Sequence, residues 1–296
     1  MATAKKPKRP NTTAPSTRRL SSAIEIELAG TRVGPQHPML FIAGPDVIES
    51  EASALRHAAR LKELASKLGI PFVFKCSFDK ANRTSLTSFR GPGLIEGLRV
   101  LKRIKREVGV RILTDVHDIS QVAPVAQVAD VIQVPAFLCR QTDLVVAVAK
   151  SGRGVNLKKG QFVSPMDIAH SARKAFDSGN KNVLVTERGA SFGYRNLVVD
   201  MRSFSIMRDA GLAICFDATH AVQLPSAANG ETAGERKFVP LLARAAVAAG
   251  VDALFTEVHE DPDNAKCDGP CSLTFEMFES TVRDCLAIRR ALGQPA

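Results

Sequence analysis

The chain has no tryptophan, a single tyrosine (Tyr194) and aromatic residues at only 5%. Its core must therefore be aliphatic, helped by 15 phenylalanines. Apolar runs are short and broken by charges, so neither a membrane span nor the apolar core of a signal peptide is expected, and no membrane partner. Paired CxxC spacing is missing: Cys76, Cys139, Cys215, Cys267, Cys271 and Cys285 are scattered, several within apolar stretches. That excludes a zinc module or a disulfide framework and fits buried free thiols in a reducing, cytoplasmic setting.

Acidic residues are absent from residues 1–21, which carry Lys5, Lys6, Lys8, Arg9, Arg18 and Arg19. Those six cations supply over half of the formal net charge of +10. The stretch is rich in Pro, Thr and Ser and reads as a disordered basic tail. Nucleic-acid binding through it is the function reading from a different class; a plain solvated extension is the simpler one. An Arg/Ser-rich transit peptide shares this composition, but no amphipathic helix supports it here.

The remainder, residues 22–296, reads as one domain with 45% hydrophobic residues in the whole chain to build its core. Ile24–Leu28 alternates apolar and charged residues, then Ala29-Gly30 turns the chain towards Val33, which predicts a small N-terminal hairpin. One pattern then repeats: a short apolar run ends in polar residues and an amphipathic stretch follows. The expected strands are Leu40–Ala43, Phe72–Phe74, Arg111–Thr114, Val131–Val134, Gly154–Leu157, Asn182–Thr186, Ala213–Phe216 and Ala253–Thr256. Helices are expected over Ala52–Leu68, Leu94–Val108, Leu144–Ala149 and Lys237–Ala249, among others. Eight such units without a linker predict a (β/α)8 TIM barrel. The rival, a doubly wound open sheet, would more typically carry a glycine-rich fingerprint after its first strand; here Gly44-Pro45-Asp46 follows.

In such a barrel, chemistry collects at the C-terminal strand ends. Those ends carry Asp46 and Glu49; Lys75, Ser77, Lys80, Asn82 and Arg83; Asp115 and His117; Gln133; Asn156, Lys158 and Lys159; Glu187 and Arg188; Asp217 and His220; Glu257 and His259. Each alone suits a solvated loop. Together they predict a strongly positive site for a substrate with at least two anionic groups, since Arg and Lys grip phosphate and carboxylate oxygens. Asp46, His220, Glu257 and Asp268 form a second set that could hold a divalent cation or orient a sugar and a water.

Lys80-Ala81-Asn82-Arg83-Thr84-Ser85, Phe89-Arg90-Gly91-Pro92-Gly93, Thr114-Asp115-Val116-His117, Gln133-Val134-Pro135-Ala136-Phe137-Leu138, Arg140-Gln141-Thr142-Asp143-Leu144, Lys158-Lys159-Gly160-Gln161-Phe162, Glu187-Arg188-Gly189, Phe192-Gly193-Tyr194 and Lys266-Cys267-Asp268-Gly269-Pro270 resemble the 3-deoxy-D-manno-octulosonate 8-phosphate synthase family, also called 2-dehydro-3-deoxyphosphooctonate aldolases. The resemblance runs over about residues 38–290. It implies a barrel, usually a homotetramer, that condenses phosphoenolpyruvate with D-arabinose 5-phosphate and water for lipopolysaccharide inner-core synthesis. By similarity, Lys158 and Arg188 hold the phosphoenolpyruvate phosphate with Gln133 nearby. Lys75, Ser77 and Lys80 line its carboxylate and reacting carbons. Asn82, Arg83 and Thr84 reach the pentose phosphate, Asp115 and His117 position water and substrate, and Arg140 lies near a subunit boundary, where it completes a neighbour's substrate site. The segment from Pro225 to Phe238 suits a mobile lid. The nearest rival is the heptulosonate 7-phosphate synthase of aromatic biosynthesis, whose motif is typically a shorter Lys-Pro-Arg where this chain has Lys80-Ala81-Asn82-Arg83.

One position departs from the family. Metal-requiring members place Cys after the first strand's Gly-Pro, and metal-independent members place Asn; this chain has Asp46. His220, Glu257 and Asp268 match both branches, and Lys266–Pro270 looks like the metal-independent one. The expectation is therefore no obligatory cofactor, with a divalent metal such as Mn, Zn or Fe as the alternative.

Overall fold

The computed structural model describes residues 24–83, 85–224 and 233–296. The basic tail, Thr84 and residues 225–232 of the expected lid lie outside the described residues.

The hairpin is two short strands, β1 (Ile26–Leu28) and β2 (Thr31–Val33). Ala29 (φ 52°) and Gly30 (φ 77°) both take the left-handed conformation, as a two-residue turn matched to strand twist requires. Leu28 pairs with Thr31, which sends Ile26, Leu28 and Val33 inward and Glu27 and Arg32 out.

The eight expected strands form a closed parallel barrel. They are β3 (Leu40–Gly44), β4 (Phe72–Lys75), β5 (Ile112–Asp115), β6 (Val131–Val134), β7 (Gly154–Lys158), β8 (Val183–Glu187), β11 (Ala213–Asp217) and β14 (Ala253–Glu257). Two ribbons interrupt the count: β9 (Ala190–Ser191) with β10 (Leu197–Val198), and β12 (Gln223–Leu224) with β13 (Ala233–Gly234). Barrel strands adjacent in the chain pair side by side, and β14 closes against β3. Most run one residue further than the apolar pattern suggests, ending on Lys75, Asp115, Lys158, Glu187, Asp217 or Glu257. These polar residues continue the strands, and all of them except Glu187 turn their side chains into the top layer of the barrel.

Around the barrel lie α1 (Glu51–Leu68), α2 (Leu94–Glu107), α3 (Val122–Ala126), α4 (Thr142–Lys150), α5 (Ile168–Asp177), α6 (Arg202–Asp209), α7 (Val239–Ala248) and α8 (Phe275–Ala291). Helix α1 shows the logic. Ser50 caps its start by accepting the Ser53 N–H at 3.2 Å, and Gly69 ends it at φ 66°. Ala54, Ala58, Leu61 and Leu64 fall on one buried face, each leucine contributing about 2 kcal/mol. Helix α7 starts later than expected: Arg236–Phe238 forms a tight turn, and Pro240 sits in the first turn, where its missing N–H costs nothing.

Two apolar cores result. The larger lies between strands and helices. The smaller fills the barrel with Leu40, Ile42, Val73, Leu113, Leu184 and Phe255, and the hairpin's Ile26, Leu28 and Val33 cap it from below. Gly154 at the start of β7 leaves room for this plug, since a Cβ there would stand 2.5 Å from Leu28. The hairpin closes the bottom of the barrel, so its interior opens to a ligand at the C-terminal mouth.

Candidate active site

A cavity of about 540 Å³ opens at that mouth. Asp46, Lys80, Asn82, Arg83, Asp115, His117, Gln133, Lys158, Arg188, His220 and Asp268 all line it. Lys75, Ser77 and Glu257 lie buried beneath the floor. Arg140 is not brought to the cavity: it is exposed beyond β6, and its carbonyl accepts the Lys174 ammonium at 3.0 Å. Thr84 lies outside the described residues.

The floor is a buried ion cluster. Asp46 Oδ1 touches the Lys80 ammonium and lies 3.4 Å from Lys75 Nζ, while the Asp46 carbonyl accepts from Lys75 at 2.9 Å. Burial opposes the Asp46 charge, but Lys80 and Lys75 together hold its carboxyl well below the ordinary range. Glu257 moves the other way: burial and the neighbouring Asp46 charge push it well above that range. The two facing carboxyls are thus shifted in opposite directions, Asp46 towards its ionised form and Glu257 towards its protonated form.

Asp217, placed by the end of β11, organises the next group. It pairs with the Lys158 ammonium, lies 2.7 Å from His220 Nδ1, and accepts the His220 N–H at 2.9 Å. Lys158 also sits 4.0 Å over the Phe255 ring. Arg188 donates to the His220 carbonyl at 3.0 Å and to Gln223. Burial lowers the pKa of both Lys158 and Arg188. On the opposite wall, Ser77 donates to Asp115 Oδ1 at 2.5 Å and His117 Nε2 lies 3.0 Å from Asp115 Oδ2.

The strand-end reading missed how some of these residues are aimed. Asn156 donates to Gln133 Oε1 at 2.9 Å and accepts from Thr186 at 2.5 Å, which turns the Gln133 amide N–H groups, unpartnered among the described residues, towards a ligand. Arg83 Nη1 lies 2.8 Å from Cys267 Sγ and 3.9 Å from Asp268, whose other oxygen accepts from Gln223 at 2.5 Å. Lys159 and Glu187 face away from the cavity. Lys159 donates to the Val163 carbonyl at 2.9 Å, and Glu187 accepts the N–H groups of Arg188 and Gly189. Alternate strand residues point to opposite faces, and that rule is the signal that would have separated Lys158 from Lys159.

The expectation of a strongly positive site needs correction. Lys80, Arg83, Lys158 and Arg188 line the cavity, but so do Asp46, Asp115 and Asp268. Neighbouring strand ends deliver both signs, and the closest contacts are pairs of opposite charge.

A family model described as the DAHP synthetase I family matches residues 18–288. A protein of Pelobacter propionicus named 2-dehydro-3-deoxyphosphooctonate aldolase is 55% identical over 89% of this chain and 97% of its own length. Proteins of the same name from Desulfatibacillum aliphaticivorans and Trichlorobacter lovleyi are 56% and 57% identical, over 88% and 84% of this chain and 95% and 92% of their own lengths. The chain belongs to the 2-dehydro-3-deoxyphosphooctonate aldolase family.

For a member of this family the question left by Asp46 is whether a metal fits. One ligand atom each from Asp46, His220, Glu257 and Asp268 lies within 4.8 Å of the others, and all four residues are buried. Asp46 Oδ2 and both Glu257 oxygens lack a hydrogen bond among the described residues. Three carboxyls and an imidazole thus fit a hard or borderline divalent ion. Such an ion would supply Lewis acidity towards a substrate oxygen. The Lys80 and Lys75 ammonium groups already place positive charge on the same Asp46 oxygen.

Proposed function

We propose that the chain condenses phosphoenolpyruvate with D-arabinose 5-phosphate and water, giving 3-deoxy-D-manno-octulosonate 8-phosphate and inorganic phosphate. The reading is carried by one cavity in which separate anion-binding groups flank a common floor: Lys158 and Arg188 on one side, Asn82 and Arg83 on the other. Relatives named for this reaction's product, matched over nearly their whole length, support it.

Carbon three of phosphoenolpyruvate attacks the pentose aldehyde, water adds at carbon two, and phosphate leaves with its carbon–oxygen bond broken. Lys158, Arg188 and the Gln133 amide hold the phosphoenolpyruvate phosphate. Lys80, which lines the cavity, faces its carboxylate and reacting carbons, and Lys75 and Ser77 support that side from beneath the floor. Arg83 and Asn82 take the pentose phosphate, and Thr84 is assigned there from sequence alone. Charge on the aldehyde oxygen grows in the transition state, where fixed ammonium groups stabilise it best. Asp115 with His117, and His220 with Asp217, hold donors and acceptors for the water and its protons. Asp46 anchors Lys80, so no divalent ion is obligatory.

The same reading includes a cytoplasmic homo-oligomer, a tetramer by family resemblance. No helix among the described residues is long and apolar enough to cross a membrane. Phe137, Phe162, Phe192 and Tyr194 are exposed on loops of the barrel mouth, which suits subunit contact there.

Phosphate release from phosphoenolpyruvate tests the reading, with arabinose 5-phosphate or erythrose 4-phosphate as acceptor and with or without EDTA. The expected result is release with the pentose, retained after chelation. Release with the four-carbon sugar alone would overturn the substrate assignment.

A further inference from the structure

Glu49 lies two residues beyond the last bridge of the β3 loop and outside the cavity, yet its side chain reaches across to the segment that carries two cavity residues. Its Oε1 accepts the N–H of Lys266 at 2.7 Å. The next two residues, Cys267 and Asp268, line the cavity. Cys267 Sγ is 2.8 Å from Arg83 Nη1, and Asp268 takes the Gln223 amide and stands 3.9 Å from the same arginine nitrogen. Asp268 sits at φ 50°, a left-handed conformation that costs a non-glycine residue energy. Such a residue stays in place only when its surroundings hold it, and the Lys266 N–H is the nearest backbone anchor on its N-terminal side.

The anchor is itself braced. His259 Nδ1 accepts the Asp261 N–H at 3.0 Å, so the ring proton is on Nε2, which points at Glu49 Oε1 from 3.5 Å. His57 packs against the His259 ring with centroids 4.8 Å apart, and its own Nε2 accepts the Glu260 N–H at 2.9 Å. On the far side, Lys266 Nζ lies 4.7 Å over the Phe89 ring, and the Arg90 carbonyl next to it accepts the Lys80 N–H at 2.8 Å. The Lys266–Asp268 segment therefore joins the β3, β4 and β11 loops, and Glu49 is what ties it to β3.

We propose that Glu49 is a positioning residue: through the Lys266 N–H it holds Cys267 and Asp268 against Arg83, and so sets the arginine for the pentose phosphate. The inference rests on the reading of Arg83 given above. Its mechanism is a hydrogen-bond acceptor at a fixed reach. Charge is secondary, and glutamine, with the same reach and a carbonyl oxygen, replaces it. Among the described residues Arg83 Nε has no hydrogen-bond partner, and the guanidinium is held at its Cys267 and Asp268 end.

The test is steady-state kinetics of Glu49→Ala, Glu49→Gln and the unaltered protein, at matched divalent-ion content, with thermal melting alongside. Glu49→Ala should raise the KM for arabinose 5-phosphate about tenfold or more, with the KM for phosphoenolpyruvate within about threefold. Glu49→Gln should stay within about threefold in both. If Glu49→Ala does not fold, Glu49→Asp, whose carboxylate stops one methylene short, should show the same split. Equal rises in both KM values, no change in either, or damage by Glu49→Gln as great as by Glu49→Ala would overturn the inference. An unaltered protein that releases no phosphate with arabinose 5-phosphate would instead remove the function reading beneath it.

Discussion

Replacing Asp46 by Asn removes one negative charge from the floor while keeping an oxygen in place. Lys80 has Asp46 as its ion-pair partner among the described residues, at the contact with Oδ1. Lys75 keeps the Asp46 carbonyl at 2.9 Å and Glu257 at 3.7 Å. The change therefore converts one charge-assisted contact into an ordinary one, a loss of about 1 kcal/mol. Relief of the buried carboxylate's desolvation offsets part of it. For a domain of this size the melting temperature should fall by only about 2 °C. Turnover in EDTA should remain within about tenfold of the unaltered protein, because Lys80 stays cationic and the amide oxygen can still receive it. The assay is phosphate release at saturating substrates after exhaustive chelation, then titration with Mn²⁺. If chelation abolishes activity of the unaltered protein and Mn²⁺ or Zn²⁺ restores it, the carboxylate is a ligand and the reasoning is refuted.

Lys80→Ala should lower turnover by about a hundredfold or more, since it deletes the cavity's central ammonium group; near-normal single-turnover rates would remove that role. Acid stability should carry a component from His220, whose pKa burial pushes down to about 4 from 6.5. Its folded value lies below its unfolded one, so the contribution is complete above about pH 6.5 and is lost as pH falls towards 4. The loss totals about 3 kcal/mol at about 1.4 kcal/mol per pH unit, and His220→Asn should flatten denaturant-derived stability over that window. A parallel pair of curves would contradict it. Gly44→Ala should be severe, because its Cβ would stand 2.0 Å from the Lys75 carbonyl oxygen on the adjacent strand; overpacking against backbone costs about 3 kcal/mol, and an unchanged melting temperature would refute the clash.

The barrel was legible because each strand is buried on both faces and so reads as an unbroken apolar run, such as Leu40-Phe41-Ile42-Ala43. The ends were misjudged by a residue where a buried lysine or acid continues the ladder, as at Lys75 and Asp217. Composition marks such residues as surface, and only their partners make burial tolerable. Most of the cavity lining was legible for a related reason: a polar residue directly after a buried strand has one place to go in a barrel. What stayed hidden was pairing. Nothing in the sequence says that Asp217 rather than Asp115 meets Lys158, or that Asn156 aims Gln133, because those contacts join strands brought together by closure. Arg140 illustrates the converse. It follows β6 closely in sequence, but the tight turn Ala136–Leu138 carries the chain out of the mouth before it is reached.

Some of the site's buried polar atoms have no partner among the described residues. Arg83 Nε and Arg188 Nε are donors, buried and unbonded among the described residues, on the two sides assigned to phosphate groups. Asp46 Oδ2, an acceptor, and the Glu257 carboxyl oxygens are buried and unbonded among the described residues, at the floor between them. A buried orphan costs about 1–3 kcal/mol, so a folded chain carries several at one site only where something else satisfies them. Donors at both ends call for anions, and acceptors in the middle call for hydroxyl groups, water or a cation. A sugar phosphate and an enol phosphate meeting head to head, with a water between them, match that order. Opposite charges already paired along the walls, Lys158 with Asp217 and Lys80 with Asp46, hold the geometry before the ligands arrive. The site is thus arranged around the distribution of its unpaired groups, and the modest net charge at the mouth follows from the same pairing.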